Sequence, residues 1–289
     1  MDLLDAARPF YKGNLHCHST LSDGALTPRK VKAFYRERGY DFLAVTDHRL
    51  LGEETHMEDG LLVLSGLEMD FTLAGEALHL VGVGMDAAVA EADLLRSPQA
   101  CIDLMRAHGG RVILAHPAWS LNSLSTVSGL QRLTAAEIYN SVSSYPWSAD
   151  RADSSHLLDV AFAHGVRLGL VASDDSHAYD GEAGRSFTVV QADALDAPSL
   201  LDALDRGRYY ASQGPAFRRL SVRDGRIEVE CSPVSHILFT SNRPWAMGRC
   251  LSGQELTCGA YRVNPDETFV RVQLVDSQGR KAWSHPIWL

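Results

Sequence analysis

His16 and His18 stand two positions apart in the stretch NLHCHSTLSDG, and Asp23 follows five residues later. Exposed histidines and an ordinary SDG turn would account for these residues taken alone. The spacing also has a chemical reading. In a strand, residues i and i+2 point to the same side, so both imidazoles can aim at one point while Asp23 returns from the loop. A divalent metal ion is the natural occupant of such a point.

The same residue types recur just beyond apolar runs. FLAV leads to Thr46-Asp47-His48, LLVLSGL to Glu68, RVILA to His116-Pro117, and RLGLVAS to Asp174-Asp175-Ser176-His177. His79 lies inside ALHLVGVG, on the strand face opposite Leu78 and Leu80. Singly, each has a plain structural role open to it: His79 as a core histidine, His116 as a strand end, Glu68 as an ion-pair partner, Asp174-Asp175 as a turn cap. Together, six histidines and three carboxylates fall at strand tips or inward positions. The other six histidines (His56, His108, His156, His164, His236 and His285) fall in helices, loops or the C-terminal segment. Imidazole and carboxylate gathered on one rim suit Zn, Mn or Fe, and nine such groups suffice for two or three ions.

The elements that must position these residues alternate. TPRKVKAFYRERG (27–39), SPQACIDLMRAHGG (97–110), SSHLLDVAFAHG (154–165) and SLLDALDRGR (199–208) read as helices. DFLAVTDH (41–48), LLVLSGLEMDF (61–71), ALHLVGVG (77–84), RVILAHP (111–117), AAEIYN (135–140), the start of RLGLVASDDSH (167–177) and RSFTVVQA (185–192) read as strands. Alternation predicts an α/β fold with a largely parallel sheet, and about seven units favour a barrel, whose C-terminal strand ends form one chemical rim. After residue 214 no helix is evident. RRLSVRDGRIEVECS (218–232) is a hairpin around Asp224-Gly225, and the rest is strand-like. The expected division is therefore a hydrolase-type barrel over 1–213 and a small all-β appendage over 214–289.

Composition narrows the function. The 289 residues carry a net charge of −9 without a basic run, which argues against a binder of long nucleic acid. Five scattered cysteines without a C-x-x-C pair argue against a disulfide scaffold. The N-terminus has no apolar signal-peptide core, and no apolar run reaches membrane-spanning length. A cytoplasmic protein without a membrane partner is expected.

In its H-x-H…D motif (His16, His18, Asp23), TDH (His48), GLE (Glu68), the following His79, AHP (His116) and D-x-H (Asp175, His177), the sequence resembles the PHP (polymerase and histidinol phosphatase) domain of the amidohydrolase-like group. All nine motif positions occur in order between residue 13 and about residue 212. The C-terminal segment, ending AWSHPIWL, resembles appendages of the carbaryl-hydrolase-like (CehA/McbA) group. The resemblance implies a distorted (β/α)7 barrel holding three divalent ions. One would lie on His16, His18, Glu68 and Asp175; a second on Glu68, His79 and His116; a third on Asp23, His48 and His177. Three divalent ions against three carboxylates leave a surplus of about three positive charges, suited to an anionic substrate.

The expected activity is phosphoester hydrolysis of a small phosphorylated substrate such as a nucleotide, sugar phosphate or cyclic phosphate, with a metal-bridging hydroxide as nucleophile. Glu68, Asp175 and His177 are the expected catalytic residues, with Asp175 as a candidate proton shuttle. Arg49 and Arg185 could fork onto a phosphate or make surface ion pairs. Trp119 could stack on a ring or pack in the core. Tyr139-Asn140 could line the pocket. Two rival readings are hydrolysis of a carbamate or aryl ester, and a non-catalytic PHP structural module.

Overall fold

The computed structural model describes residues 2–86, 94 and 96–289. Strands β1 (Asp2–Leu4) and β2 (Phe10–Asn14) precede helix α1 (Pro28–Arg36). Then come β3 (Phe42–Ala44), β4 (His56–Glu58), β5 (Leu61–Leu64), β6 (Gly66–Leu73) and β7 (Glu76–Val83). Next are α2 (Pro98–Ala107), β8 (Arg111–Leu114), α3 (Leu124–Gly129), β9 (Ala135–Asn140), α4 (Ser155–Ala163) and β10 (Gly169–Ser173). β11 (Phe187–Gln191), α5 (Ala197–Asp205) and β12 (Tyr209–Ser212) complete the mixed part. The remainder is strand: β13 (Phe217–Arg223), β14 (Arg226–Ser241), β15 (Cys250–Arg262), β16 (Phe269–Val275), β17 (Lys281–Ser284) and β18 (Ile287–Trp288). The four expected helices are present, and the Asp224-Gly225 hairpin forms with both turn residues at positive φ, 49° and 69°.

The protein is α/β with mixed sheets. One sheet runs β1-β13-β14-β16-β17-β12-β11-β2-β3-β5-β4, and the other β10-β9-β8-β7-β6. Among the described residues the two ladders do not close into one continuous ring. Single parallel bridges join them at two seams, Cys17 with Ser176 and His48 with Glu68. Each bridge includes or adjoins the residues singled out above, so the seams meet where the polar strand tips converge.

The run LLVLSGLEMDF is not one strand. Its chain leaves the first sheet at Ser65, whose Oγ donates to the Met85 carbonyl at 2.6 Å, and enters the second at Gly66. A Cβ at Gly66 would sit 2.9 Å from the Thr46 methyl, so only glycine passes this crossing. The expected parallel arrangement also fails locally: β7 is antiparallel to both β6 and β8. The reason is the turn. Ala74 and Gly75, with φ of 43° and 92°, join β6 to β7, and a two-residue loop permits only an antiparallel neighbour.

Strands after residue 214 extend the first sheet through β17 on β12. Phe269 and Trp283 are fully buried in the same core as Leu158 and Phe162 of α4. The Phe162 and Phe269 rings meet at 5.5 Å, and Trp283 stacks on Tyr139 at 5.8 Å. Burial of a side chain such as Phe269 contributes about 1.5–3 kcal/mol. No described helix is long and apolar enough to cross a membrane. The five cysteines are free.

His285 lies against Tyr209 with its Nδ1 buried and without a hydrogen-bond partner. Burial pushes its pKa down from 6.5 to about 4. The unfolded chain therefore takes up a proton that the folded chain refuses. Stability is unaffected above pH about 6.5 and falls as pH drops toward 4, by at most about 3 kcal/mol. Denaturant titrations of wild type and His285→Phe between pH 8 and 4 are expected to diverge in that window, with the variant losing less stability on acidification.

Candidate metal centre

The strand tips deliver their side chains to the floor of a cleft of about 320 Å³. Three groups of donor atoms form there, each with its atoms within 4.8 Å of one another: His16, His18, Glu68 and Asp175; Glu68, His79 and His116; and His18, Asp23, His48 and His177. Glu68 belongs to two groups, and so does His18. His16, His18, Glu68, His116 and Asp175 are buried, whereas His48, His79, His177 and Asp23 face the opening.

The donor geometry fits cations. His16 Nε2 and His18 Nε2 both stand 3.2 Å from Glu68 Oε2, and 3.1 and 3.0 Å from Asp175 Oδ1. Donor atoms about 3.0–3.4 Å apart are the edges of a coordination shell of about 2.1 Å radius. His48 Nδ1 is buried without a hydrogen-bond partner, 3.3 Å from Glu68 Oε2. Such an orphan is costly unless something else satisfies it.

Several rings are oriented from behind. His16 Nδ1 lies 3.0 Å from Glu137 Oε1, His116 Nδ1 lies 2.9 Å from Ser120 Oγ, and His177 Nδ1 lies 2.8 Å from the Asp175 carbonyl. Each contact ties one ring nitrogen and leaves Nε2 toward the cluster, the tautomer a metal requires. Two backbone positions are strained into the left-handed region, His116 at φ 30° and Asp175 at φ 55°.

The electrostatics ask for positive charge. Burial alone would raise Glu68 and Asp175, but His16 and its neighbouring imidazoles outweigh it and hold both below the usual carboxylate range. Burial alone would lower His18, but Asp175 and Glu68 push it up to about 9. Without metal, the carboxylates draw protons onto His16, His18 and His79. Divalent cations meet the same demand and compete with those protons.

No protein-family model matches the chain. Over 80 residues it is 34% identical to a 5'-3' exoribonuclease of Haemophilus influenzae, covering 26% of this chain and 29% of that protein. Over 80 residues it is 36% identical to a 3',5'-nucleoside bisphosphate phosphatase of Chromobacterium violaceum, covering 26% and 28%. The chain thus spans under a third of the length of these curated relatives. A crystal structure from Bacteroides vulgatus, of a two-domain protein containing a predicted PHP-like metal-dependent phosphoesterase, superposes with a TM-score of 0.55. That match has 16% identity and covers 93% of this chain and 91% of the other. The fold is PHP-like.

Within this PHP-like fold the substrate candidates separate. Trp119 lines the cleft, its ring 4.9 Å from His116 and its Nε1 donating to Ser148 Oγ at 3.0 Å. Arg49 is forked onto Asp70 at 2.9 and 2.7 Å and does not line the cleft. Arg185 lines a neighbouring cavity instead. Asn140 is buried; its Nδ2 donates to Glu137 at 2.7 Å and to Asp175 Oδ2 at 3.2 Å, so it positions a carboxylate. Tyr139 lines the neighbouring cavity with Arg185.

Sequence reasoning missed Glu137 and Trp147. Glu137 is fully buried in AAEIYN and accepts the His116 backbone N–H at 2.8 Å as well as facing His16. A lone acid inside an apolar strand was the available signal. Trp147 lines the cleft from a Ser-rich loop whose sequence has no such signal. A further acidic group, Glu53, His56 and Glu58, lies outside the cleft and already holds a cation: Lys32 Nζ is 2.8 Å from Glu53 and 2.5 Å from Glu58. Replacing Glu137 by Gln is expected to weaken metal binding about 10–100-fold. Titration of the metal-stripped protein with Mn²⁺ would show it, and an unchanged affinity would remove Glu137 from the centre.

Proposed function

We propose that the chain is a metal-dependent phosphoesterase acting on a small phosphorylated substrate. The observation that carries this reading is the interlocked donor set, nine side chains in three groups that share Glu68 and His18 at the floor of an open cleft. His16, His18, Glu68 and Asp175 would hold one divalent ion, Glu68, His79 and His116 a second, and Asp23, His48 and His177, with His18 at hand, a third; Mn, Fe and Zn suit these donors. When bound, such ions lower the pKa of water and offset phosphoryl charge.

The remaining roles belong to the protein. His48, His177 and Asp23 face the opening, and a divalent ion held there would offer positive charge to the phosphoryl oxygens. Trp119 packs against the group beyond the scissile bond. Asp175 lies at the cleft with Oδ1 toward His18 and His16 and Oδ2 held by Asn140. From there it is placed to carry a proton to the leaving oxygen. His177, tied by Nδ1 to the Asp175 carbonyl, stays fixed beside it. The catalytic part is read as residues 1–213, two sheets bridged at their tips in an open, barrel-like arrangement, with 214–289 as the appended β part that shares its core.

The test begins with protein purified without chelator. Elemental analysis should find two or three divalent ions per chain. With Mn²⁺ present, phosphate should be released from at least one member of a panel of phosphomonoesters, nucleoside 3',5'-bisphosphates and short 5'-phosphorylated oligonucleotides. Bound metal with no phosphate release from any of them would overturn the reading.

A further inference from the structure

A second cavity, of about 450 Å³, adjoins the metal cleft and is lined by Arg185, Arg280, Gln213, Gln278, Ser141 and Tyr139, together with glycine backbone. No carboxylate lines it among the described residues. Two guanidinium groups converge here on a chain of net charge −9, and the one acid that contacts them, Asp276, takes only Nε of Arg280.

The two cavities share a wall. Trp147 lines the metal cleft, and the Arg185 guanidinium lies over its ring, 4.8 Å from the centroid. Arg185 makes no ion pair among the described residues, so the stacking orients the fork without neutralising it.

Arg280 comes from the opposite side, on the turn between β16 and β17. That turn is built on Asp276, whose Oδ1 accepts the backbone N–H groups of Gln278 and Arg280, both at 2.9 Å. Asp276 Oδ2 accepts Arg280 Nε at 2.8 Å. The two terminal nitrogens of Arg280 donate to no protein acceptor among the described residues. Its guanidinium lies flat on the backbone at Gly214, where a Cβ would come within 2.9 Å of Cζ. The head group is thus aimed and held before any ligand arrives.

We propose that this cavity is an oxyanion subsite, in which Arg185 and Arg280 bind a second negative group on the phosphoester whose scissile end lies at the metal centre. The inference rests on the phosphoesterase reading and gives the C-terminal β segment a part in recognition. A planar fork from each side suits a phosphate or carboxylate.

Inorganic phosphate is the probe, titrated calorimetrically into the metal-loaded protein. Wild type should bind two equivalents, and R185Q/R280Q one. Both arginines are exposed, so circular dichroism of the double variant should match wild type. Acetate displacing the arginine-dependent equivalent marks a carboxylate-accepting subsite, and resistance marks a phosphate-selective one; both uphold the proposal. One equivalent in wild type, or two persisting in R185Q/R280Q, would overturn it. An arginine-dependent equivalent retained in a protein that releases phosphate from no phosphoester would sink the catalytic reading and leave the subsite standing.

Discussion

Replacing Glu68 by glutamine is expected to lower kcat for phosphate release by about a thousand-fold and to cut metal content. The side chain is 1% exposed and touches five of the six clustered histidines: His16, His18 and His48 through Oε2, His79 and His116 through Oε1. Glutamine keeps the shape but carries no charge, and an amide NH₂ on one side faces an imidazole nitrogen instead of a cation. A loss of about 4 kcal/mol of transition-state stabilisation corresponds to about three orders of magnitude in rate. Metal content by elemental analysis separates this from unfolding, because circular dichroism should stay native. A variant that retains its full metal complement and rate would remove Glu68 from its shared position and with it the interlocked centre.

Replacing Asp159 by asparagine is expected to cost about 3–4 kcal/mol, more than replacing its partner Arg271 by methionine. Arg271 on β16 forks onto Asp159 of α4 at 3.0 and 2.6 Å, with Gln273 as its other acceptor at 3.0 Å. The two side chains are unequally buried, Arg271 at 2% exposure and Asp159 at 21%. Removing the carboxylate leaves a guanidinium without its counter-charge in the interior, the expensive way to break a pair. Removing the arginine leaves a carboxylate that water can reach. Because this pair ties the C-terminal strands to a helix behind the cleft, Tm and activity at elevated temperature should fall together in Asp159→Asn. Equal losses in the two single variants would show that burial does not set the cost.

Local chemistry made much of the site legible. TDH and D-x-H sit after apolar runs and H-x-H after the short strand FYKGN, and a strand that ends in polar residues must present them at its tip. The helices and the Asp224-Gly225 hairpin were legible for the same reason, since caps, periodicity and turn residues act within a few positions. The break at Ser65 was not, because LLVLSGLEMDF reads as one continuous strand and only the two sheets it serves divide it. Nor was the antiparallel setting of His79, which follows from the two-residue turn at Ala74-Gly75. Glu137 and Asn140 acquire meaning only when β9 is laid beside β8 and β10, bringing the one under His16 and the other onto Asp175. The pairing of Arg185 with Arg280 across one cavity joins residues 95 positions apart, on a loop and a hairpin turn. The sequence by itself determined which donor atoms the protein owns and which strand ends carry them, because both depend on residue type and short-range pattern. Which donors share an ion, what orients them and which cationic groups face the substrate were decided by tertiary structure, because those contacts depend on how distant strands align.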